Sequence, residues 1–118
     1  MTTGAETDAS IRIQSFAANQ NIFVEGQEGD CMYIVKEGEV DLLYKGKFLG
    51  TVRQGGIFGE MSLIDFLSRS ATAVAKTDCK LVPVDEKHFT RLVQETPAFA
   101  LQVMRVLVQR LRIMNELL

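Results

Sequence analysis

Two charged side chains in one short stretch carry most of the chemistry of this sequence. The stretch reads Phe58-Gly59-Glu60-Met61-Ser62-Leu63-Ile64-Asp65-Phe66-Leu67-Ser68-Arg69-Ser70-Ala71-Thr72-Ala73. Gly59 opens a segment of helical rather than alternating character. The first amides of such a turn have no intrahelical partner and favour an anion. Arg69 follows in a loop, and its planar fork can donate to two oxygens of one phosphate. Ser70 and Thr72 place hydroxyls close by. Glu60, at the start of the helical turn, repels a phosphate but accepts from a sugar hydroxyl. The set suits a phosphate joined to a ribose. The same residues also admit a structural reading, with Glu60 capping its helix and Arg69 paired with Asp65 or Glu60.

The elements around this stretch are short strands cut by glycines. Runs of β-formers fall at Ile22-Phe23-Val24, Tyr33-Ile34-Val35, Val40-Asp41-Leu42-Leu43-Tyr44, Leu49-Gly50-Thr51-Val52 and Ala71-Thr72-Ala73-Val74. Their spacing predicts an antiparallel sandwich or barrel over residues 11–84. Lys45-Gly46-Lys47 is the expected tip of a hairpin. Residues 59–65 read as one or two helical turns set in a loop between strands.

After Val84 the period changes. Asp85 is the expected N-cap of a helix running to about Gln94, with Val84 and Phe89 at the positions of a hydrophobic staple. Thr96 and Pro97 then predict the cap and first residue of a second helix that continues to the chain end. On it Ala100, Met104, Leu107, Leu111, Met114 and Leu118 recur at alternating spacings of four and three, a heptad seam widened by Val103, Val106, Ile113 and Leu117. That face either packs on its own domain or meets a second copy of the helix in a homodimer. Arg105, Arg110 and Arg112 read as a solvated face of the same helix.

Bulk properties narrow the class. The 118 residues suit one domain, 11–118, preceded by a polar tail, 1–10, expected to be flexible. Hydrophobic residues at 47% support a core without staples, and a net charge of -2 gives no basic excess for direct nucleic-acid binding. Two cysteines, Cys31 and Cys79, make no disulfide framework and are expected to be reduced and largely buried. The start lacks the order of a signal peptide, and no apolar run is long enough to span a bilayer, so the cytoplasm is the default location. A single histidine, His88, argues against a metal barrel, which relies on several. Cysteines in apolar strand contexts argue against a Cys–His nucleophile. Neither a cofactor, a metal nor a catalytic residue is expected.

Phe58-Gly59-Glu60-Met61-Ser62-Leu63, followed by Arg69-Ser70-Ala71-Thr72-Ala73-Val74, resembles the phosphate-binding cassette of cyclic-nucleotide-binding domains. Ile22-Phe23-Val24-Glu25-Gly26-Gln27-Glu28-Gly29-Asp30 resembles the family's early hairpin. Tyr33-Ile34-Val35-Lys36-Glu37-Gly38-Glu39-Val40 resembles the strands and glycine turn that follow. The match runs in order over roughly residues 15–118. The resemblance implies a jelly-roll barrel with a short phosphate-binding helix and two C-terminal helices. It implies that Arg69 contacts the cyclic phosphate and that Glu60 accepts from the ribose 2′-hydroxyl. Gly59 and the amides of Met61 and Ser62 would line ribose and phosphate. Ser70 would meet a phosphate oxygen, with Ala71 beside it. Glycines 26, 29 and 38 match the family's turns.

Three positions depart from the common pattern. Ser68 stands where many eukaryotic members have proline, Ser70 follows the arginine where many kinase subunits have alanine, and Asn19-Gln20 replaces a glycine turn. For the base, the resemblance points to Met114 or Asn115 on the last helix; the alternative places Met114 in the seam and Asn115 in solvent. The Arg-Ser pairing implies cAMP over cGMP. The implied action is that of a non-catalytic sensor in which Leu63, Ile64 and Phe66 repack against helices that move on binding. Alternatives are a piece of a larger regulator or channel and an interaction module with an idle site.

Overall fold

The computed structural model describes residues 12–65 and 68–117; the expected tail at 1–10 lies outside the described residues. Among the described residues eight strands and three helices follow in chain order. They are β1 (Gln14–Phe16), β2 (Asn21–Phe23), β3 (Cys31–Glu37), β4 (Val40–Tyr44), β5 (Lys47–Val52), β6 (Ile57–Phe58), α1 (Glu60–Asp65), β7 (Thr72–Ala75), β8 (Cys79–Asp85), α2 (Glu86–Glu95) and α3 (Ala98–Leu117).

The strands form two antiparallel four-stranded sheets, ordered β1-β8-β3-β6 and β2-β7-β4-β5. The expected barrel is thus a jelly-roll sandwich of two facing sheets rather than a closed cylinder. The reason lies in period-two alternation. On β3 and β8 the residues Val35, Cys79 and Leu81 point inward and meet Phe23, Val40, Leu42, Val52, Phe58, Ala73 and Ala75 from the other strands. Their neighbours Met32, Ile57 and Val84 point outward and join Leu63 of α1 and Val103 of α3, with Phe89, Leu92, Phe99, Val106 and Leu107 packed around them. The first sheet therefore has two apolar faces, one for the sandwich and one for the helices.

The local signals act as their chemistry predicts. Lys45 and Gly46 both take positive φ (51° and 78°) at the β4–β5 tip, the conformation that matches strand twist in a two-residue hairpin. Asn19 takes φ 73°, a conformation asparagine tolerates. Asp85 caps α2, its carboxylate accepting from the His88 amide at 2.8 Å. Val84 and Phe89 fall in the same apolar cluster, as a staple requires.

Thr96 does not use its hydroxyl as the expected cap. Its amide closes α2 by donating to Leu92 O at 2.8 Å, and its carbonyl accepts from the Phe99 amide at 2.9 Å. The heptad seam on α3 also resolves into two faces. Val103 is buried and Ala100, Leu107 and Met114 are half-buried toward the sandwich, whereas Met104 and Leu111 stay 57% and 55% exposed. A 20-residue helix laid on one domain buries a single stripe, so residues assigned to one seam separate by rotation about the axis. Leu118 and the Leu117 side chain lie outside the described residues.

Candidate functional site

Arg69 is fixed first through its backbone. Its amide donates to Gln27 O at 2.7 Å and its carbonyl accepts from the Gly26 amide at 2.9 Å, so the loop is stitched to the turn after β2. Gln27 holds that turn by accepting from the Val24 amide through its side chain at 2.8 Å. The Thr72 hydroxyl accepts from the Glu25 amide at 3.1 Å and pins the exit of the loop. Gly26 and Gly38 take positive φ, as turn residues do.

The guanidinium then runs into the sandwich end, where Arg69 is only 6% exposed. It stacks over Phe23, its central carbon 4.1 Å from the ring centroid, with Tyr33 at 5.8 Å. Nη1 donates to Gly59 O at 3.1 Å and Nη2 lies 3.8 Å from Cys31 Sγ. Nε is buried without a partner among the described residues. Among the described residues no carboxylate forms an ion pair with Arg69. Nor does Tyr33 supply charge: burial, with Cys31 beside it, pushes its phenol up to about 12, so it is neutral at ordinary pH. Among the described residues only neutral groups satisfy this buried cation, an arrangement that is costly and suits an anion from outside. The alternative of Arg69 pairing with Glu60 is therefore excluded; the side chain of Asp65 lies outside the described residues.

Two glycines make room for this cation. Gly59 takes φ +77°, and a Cβ there would lie 2.8 Å from Nη1. Gly29, which sequence reading treats as a turn residue, does not take positive φ; its function is space. A Cβ on Gly29 would lie 2.3 Å from Nε and 2.6 Å from the central carbon of Arg69. Gly29→Ala is consequently expected to displace the guanidinium while leaving the backbone unstrained. Its predicted result is a loss of ligand affinity of at least tenfold with a thermal midpoint within a few degrees of the parent, checked by titration and thermal melting.

Glu60 is 2% exposed, and both of its oxygens accept from Arg110 Nη1, at 3.1 and 3.0 Å. Arg110 Nη2 also donates to Ile57 O at 2.8 Å. Arg110 on α3 thus clamps the start of α1 to the last helix. The solvated face expected for the three arginines holds for Arg105 and Arg112, which are exposed, and fails for Arg110. Its position could have been found: counted along α3, residue 110 falls on the same stripe as Val103, Val106, Leu107 and Met114, and a charge inside an apolar stripe must have a partner.

A narrow cleft, with a cavity volume of about 30 Å³, lies beside these groups. Gly59, Glu60, Met61, Ser62, Arg69, Ser70, Ala71 and Met114 line it, so eight of the nine residues expected from sequence converge. Asn115, the ninth, is exposed and does not line the cleft. Phe23, Leu42, Leu49 and Arg110 complete the walls. Ser62 is buried, and the Ser70 hydroxyl donates to Met61 Sδ at 3.4 Å, which leaves it at the cleft mouth. One wall is apolar and aromatic, one corner is cationic, and an acid with its arginine closes the other end. That arrangement can take a flat, partly apolar molecule carrying one anionic group.

Of the residues expected to repack, Leu63 is buried against the helices and Ile64 is 49% exposed; Phe66 lies outside the described residues. Among the described residues no group of three metal-ligating side chains forms, and no helix is long and apolar enough to cross a membrane.

Comparison with known proteins places these features in a family. The model of the family described as "Cyclic nucleotide-binding domain" matches residues 13–96. The catabolite activator protein of Thermus thermophilus is similar at 29% identity and a TM-score of 0.77, over 95% of this chain and 55% of that one. The cAMP-bound PfPKA-R structure is similar at 28% identity and a TM-score of 0.82, over 95% of this chain and 39% of that one. A protein of a cyclic-GMP-dependent signalling pathway that regulates bacterial phytopathogenesis is similar at 31% identity and a TM-score of 0.75, over 95% of both chains. The chain thus spans less than two thirds of the first two proteins.

Proposed function

This chain belongs to the cyclic nucleotide-binding domain family, and from that premise we propose that its cleft binds a cyclic nucleoside monophosphate, cAMP in preference to cGMP, as a non-catalytic sensor. The observation that carries the reading is the buried Arg69 guanidinium without a carboxylate among the described residues. A cyclic phosphodiester supplies the single negative charge that this corner lacks. The apolar wall of Leu42, Leu49 and Met114 suits a purine face. Glu60 has further lone pairs for a ribose hydroxyl while its oxygens hold Arg110. The similar proteins include one bound to cAMP and one of a cyclic-GMP-dependent pathway, and the preference for cAMP rests on the Arg69-Ser70 pairing.

Arg110 gives the sensor its route of output. Glu60 touches both the cleft and α3, so a ligand that draws on Glu60 changes the hold on the helix. Such a ligand shifts α3 only by its differential affinity for the two arrangements. Adding cAMP is expected to move the amide resonances of Val106 to Met114 in a saturable NMR titration, with cGMP requiring a higher concentration. Saturable binding without shifts along α3 contradicts helix output, and equal affinities contradict the base preference.

A second copy of the chain fits the outer face of α3. Leu101, Met104, Val108 and Leu111 are all exposed there and recur at spacings of three and four, followed by exposed Asn115. These positions form a two-stranded seam in which the asparagine fixes register. Replacing Met104 and Leu111 with glutamate is expected to convert a dimer to a monomer in sedimentation velocity. A parent chain already monomeric at high micromolar concentration contradicts the dimer.

A further inference from the structure

Arg69 is touched from two sides. Its front lines the ligand cleft. Behind it lies Cys31 Sγ, 3.8 Å from Nη2, on the first residue of β3. Cys31 is partly exposed and lines a second, polar cleft with Arg12, Asp30, Asp85, Lys87 and Arg91. The two clefts share no lining residue. Cys31 therefore borders a cleft separate from the ligand cleft, while the group its sulfur touches is the cation proposed to hold the ligand. Arg69 is itself only 6% exposed; its Nε has no partner among the described residues and its Nη2 is directed at this sulfur.

We propose that Cys31 is an oxidation site for hydroperoxides, and that its sulfinate pairs with Arg69 from behind and lowers the affinity of the cleft for cyclic nucleotide. The proposal rests on Arg69 being the phosphate ligand. In the first step the sulfur attacks the outer oxygen of the peroxide, the O–O bond breaks, and the thiol proton leaves on the alcohol or water formed. Sulfur loses two electrons and the peroxide gains them. A second equivalent of peroxide carries the sulfenic acid to the sulfinic acid in the same way. The sulfinic acid gives its proton to solvent and presents two anionic oxygens to Nη2. The cation is then neutralised without ligand, so the phosphate meets a site whose charge is already spent. Cys79 is the internal contrast: it is buried, and burial together with Asp78 pushes its thiol up, so it stays an unreactive thiol.

The test uses hydrogen peroxide and cAMP on the whole chain. Peroxide treatment should add two oxygens to the Cys31 peptide by mass spectrometry and weaken cAMP binding at least tenfold. The same treatment should leave the affinity of Cys31→Ser where it stood before treatment, although that variant keeps every methionine. Without any oxidant, Cys31→Asp should bind cAMP at least tenfold more weakly than Cys31→Asn, which has the same shape and no charge. Any one of three results overturns the proposal: Cys31 left unoxidised, oxidised protein with unchanged affinity, or equal affinities for the aspartate and asparagine variants. If the untreated parent binds neither cAMP nor cGMP, the ligand reading itself fails and this proposal falls with it. If the parent binds and the oxidised form binds equally well, only the role of Cys31 fails.

Discussion

Arg69→Met is expected to abolish cyclic nucleotide binding and, in the same protein, to raise the stability of the ligand-free fold. The two effects have one cause. Arg69 is buried with an unpartnered Nε and no ion pair among the described residues. An ion held in that state costs several kcal/mol that a carboxylate or phosphate would return. Methionine fills much of the same volume and keeps contact with the Phe23 ring, 4.1 Å below the guanidinium. It loses the bond to Gly59 O and the cation–π contact, together about 2–3 kcal/mol, and removes a larger desolvation penalty. The ligand-free melting point should rise by a few degrees. Binding should fall by about 3–5 kcal/mol, more than a hundredfold, because the phosphate then enters the cleft with no counter-charge. Thermal melts with and without cAMP measure both: the parent gains stability with ligand and the variant does not. A ligand-free variant that melts below the parent would show that the cation is already satisfied by the protein.

Breaking the Glu60–Arg110 pair should have the largest effect on the fold. Glu60 is 2% exposed and its side chain is held by an arginine 16% exposed. Removing one partner strands the other charge, which costs about 3–5 kcal/mol for a fully buried pair, and about 3 kcal/mol here because Arg110 keeps some solvent. Arg110→Met leaves the carboxylate stranded; Glu60→Leu leaves the guanidinium with Ile57 O alone. The double variant should recover most of the loss, since two apolar side chains of similar volume suit the surrounding stripe. Urea unfolding of the four proteins gives the coupling energy directly. Additive losses in the double variant would mean that the two groups are not a pair in solution. Both single variants should also release α3 from α1, so ligand binding and helix position should loosen together. A glutamate read only as a ribose ligand would be expected to leave the fold intact on replacement; its burial against Arg110 gives it a task in the fold as well.

The cassette was legible because it is local. Gly59, Glu60, Arg69 and Ser70 lie within a dozen positions, and each residue type states its chemistry without reference to a distant partner. The sandwich was legible through the spacing of short β-former runs cut by glycines and the Lys45-Gly46 tip. What stayed hidden depends on long-range geometry. Arg110 meets Glu60 across fifty residues, and only the rotation of α3 on the sheet decides which arginine of that helix turns inward. The same rotation separates Met104 and Leu111 from Leu107 and Met114. Gly29 looks like one more turn glycine until Arg69 is seen lying against its Cα, and Cys31 looks like strand packing until its sulfur is seen behind the same guanidinium.

On the proposed function, a cationic corner of this small sandwich awaits a cyclic phosphodiester. Calorimetric titration of the unaltered chain with cAMP and with cGMP tests it most directly. A saturable heat at one site per chain, with a micromolar or tighter dissociation constant for at least one of the two, is the predicted result. No saturable heat with either nucleotide would contradict it, leaving a sandwich that keeps its shape and does not use its cleft.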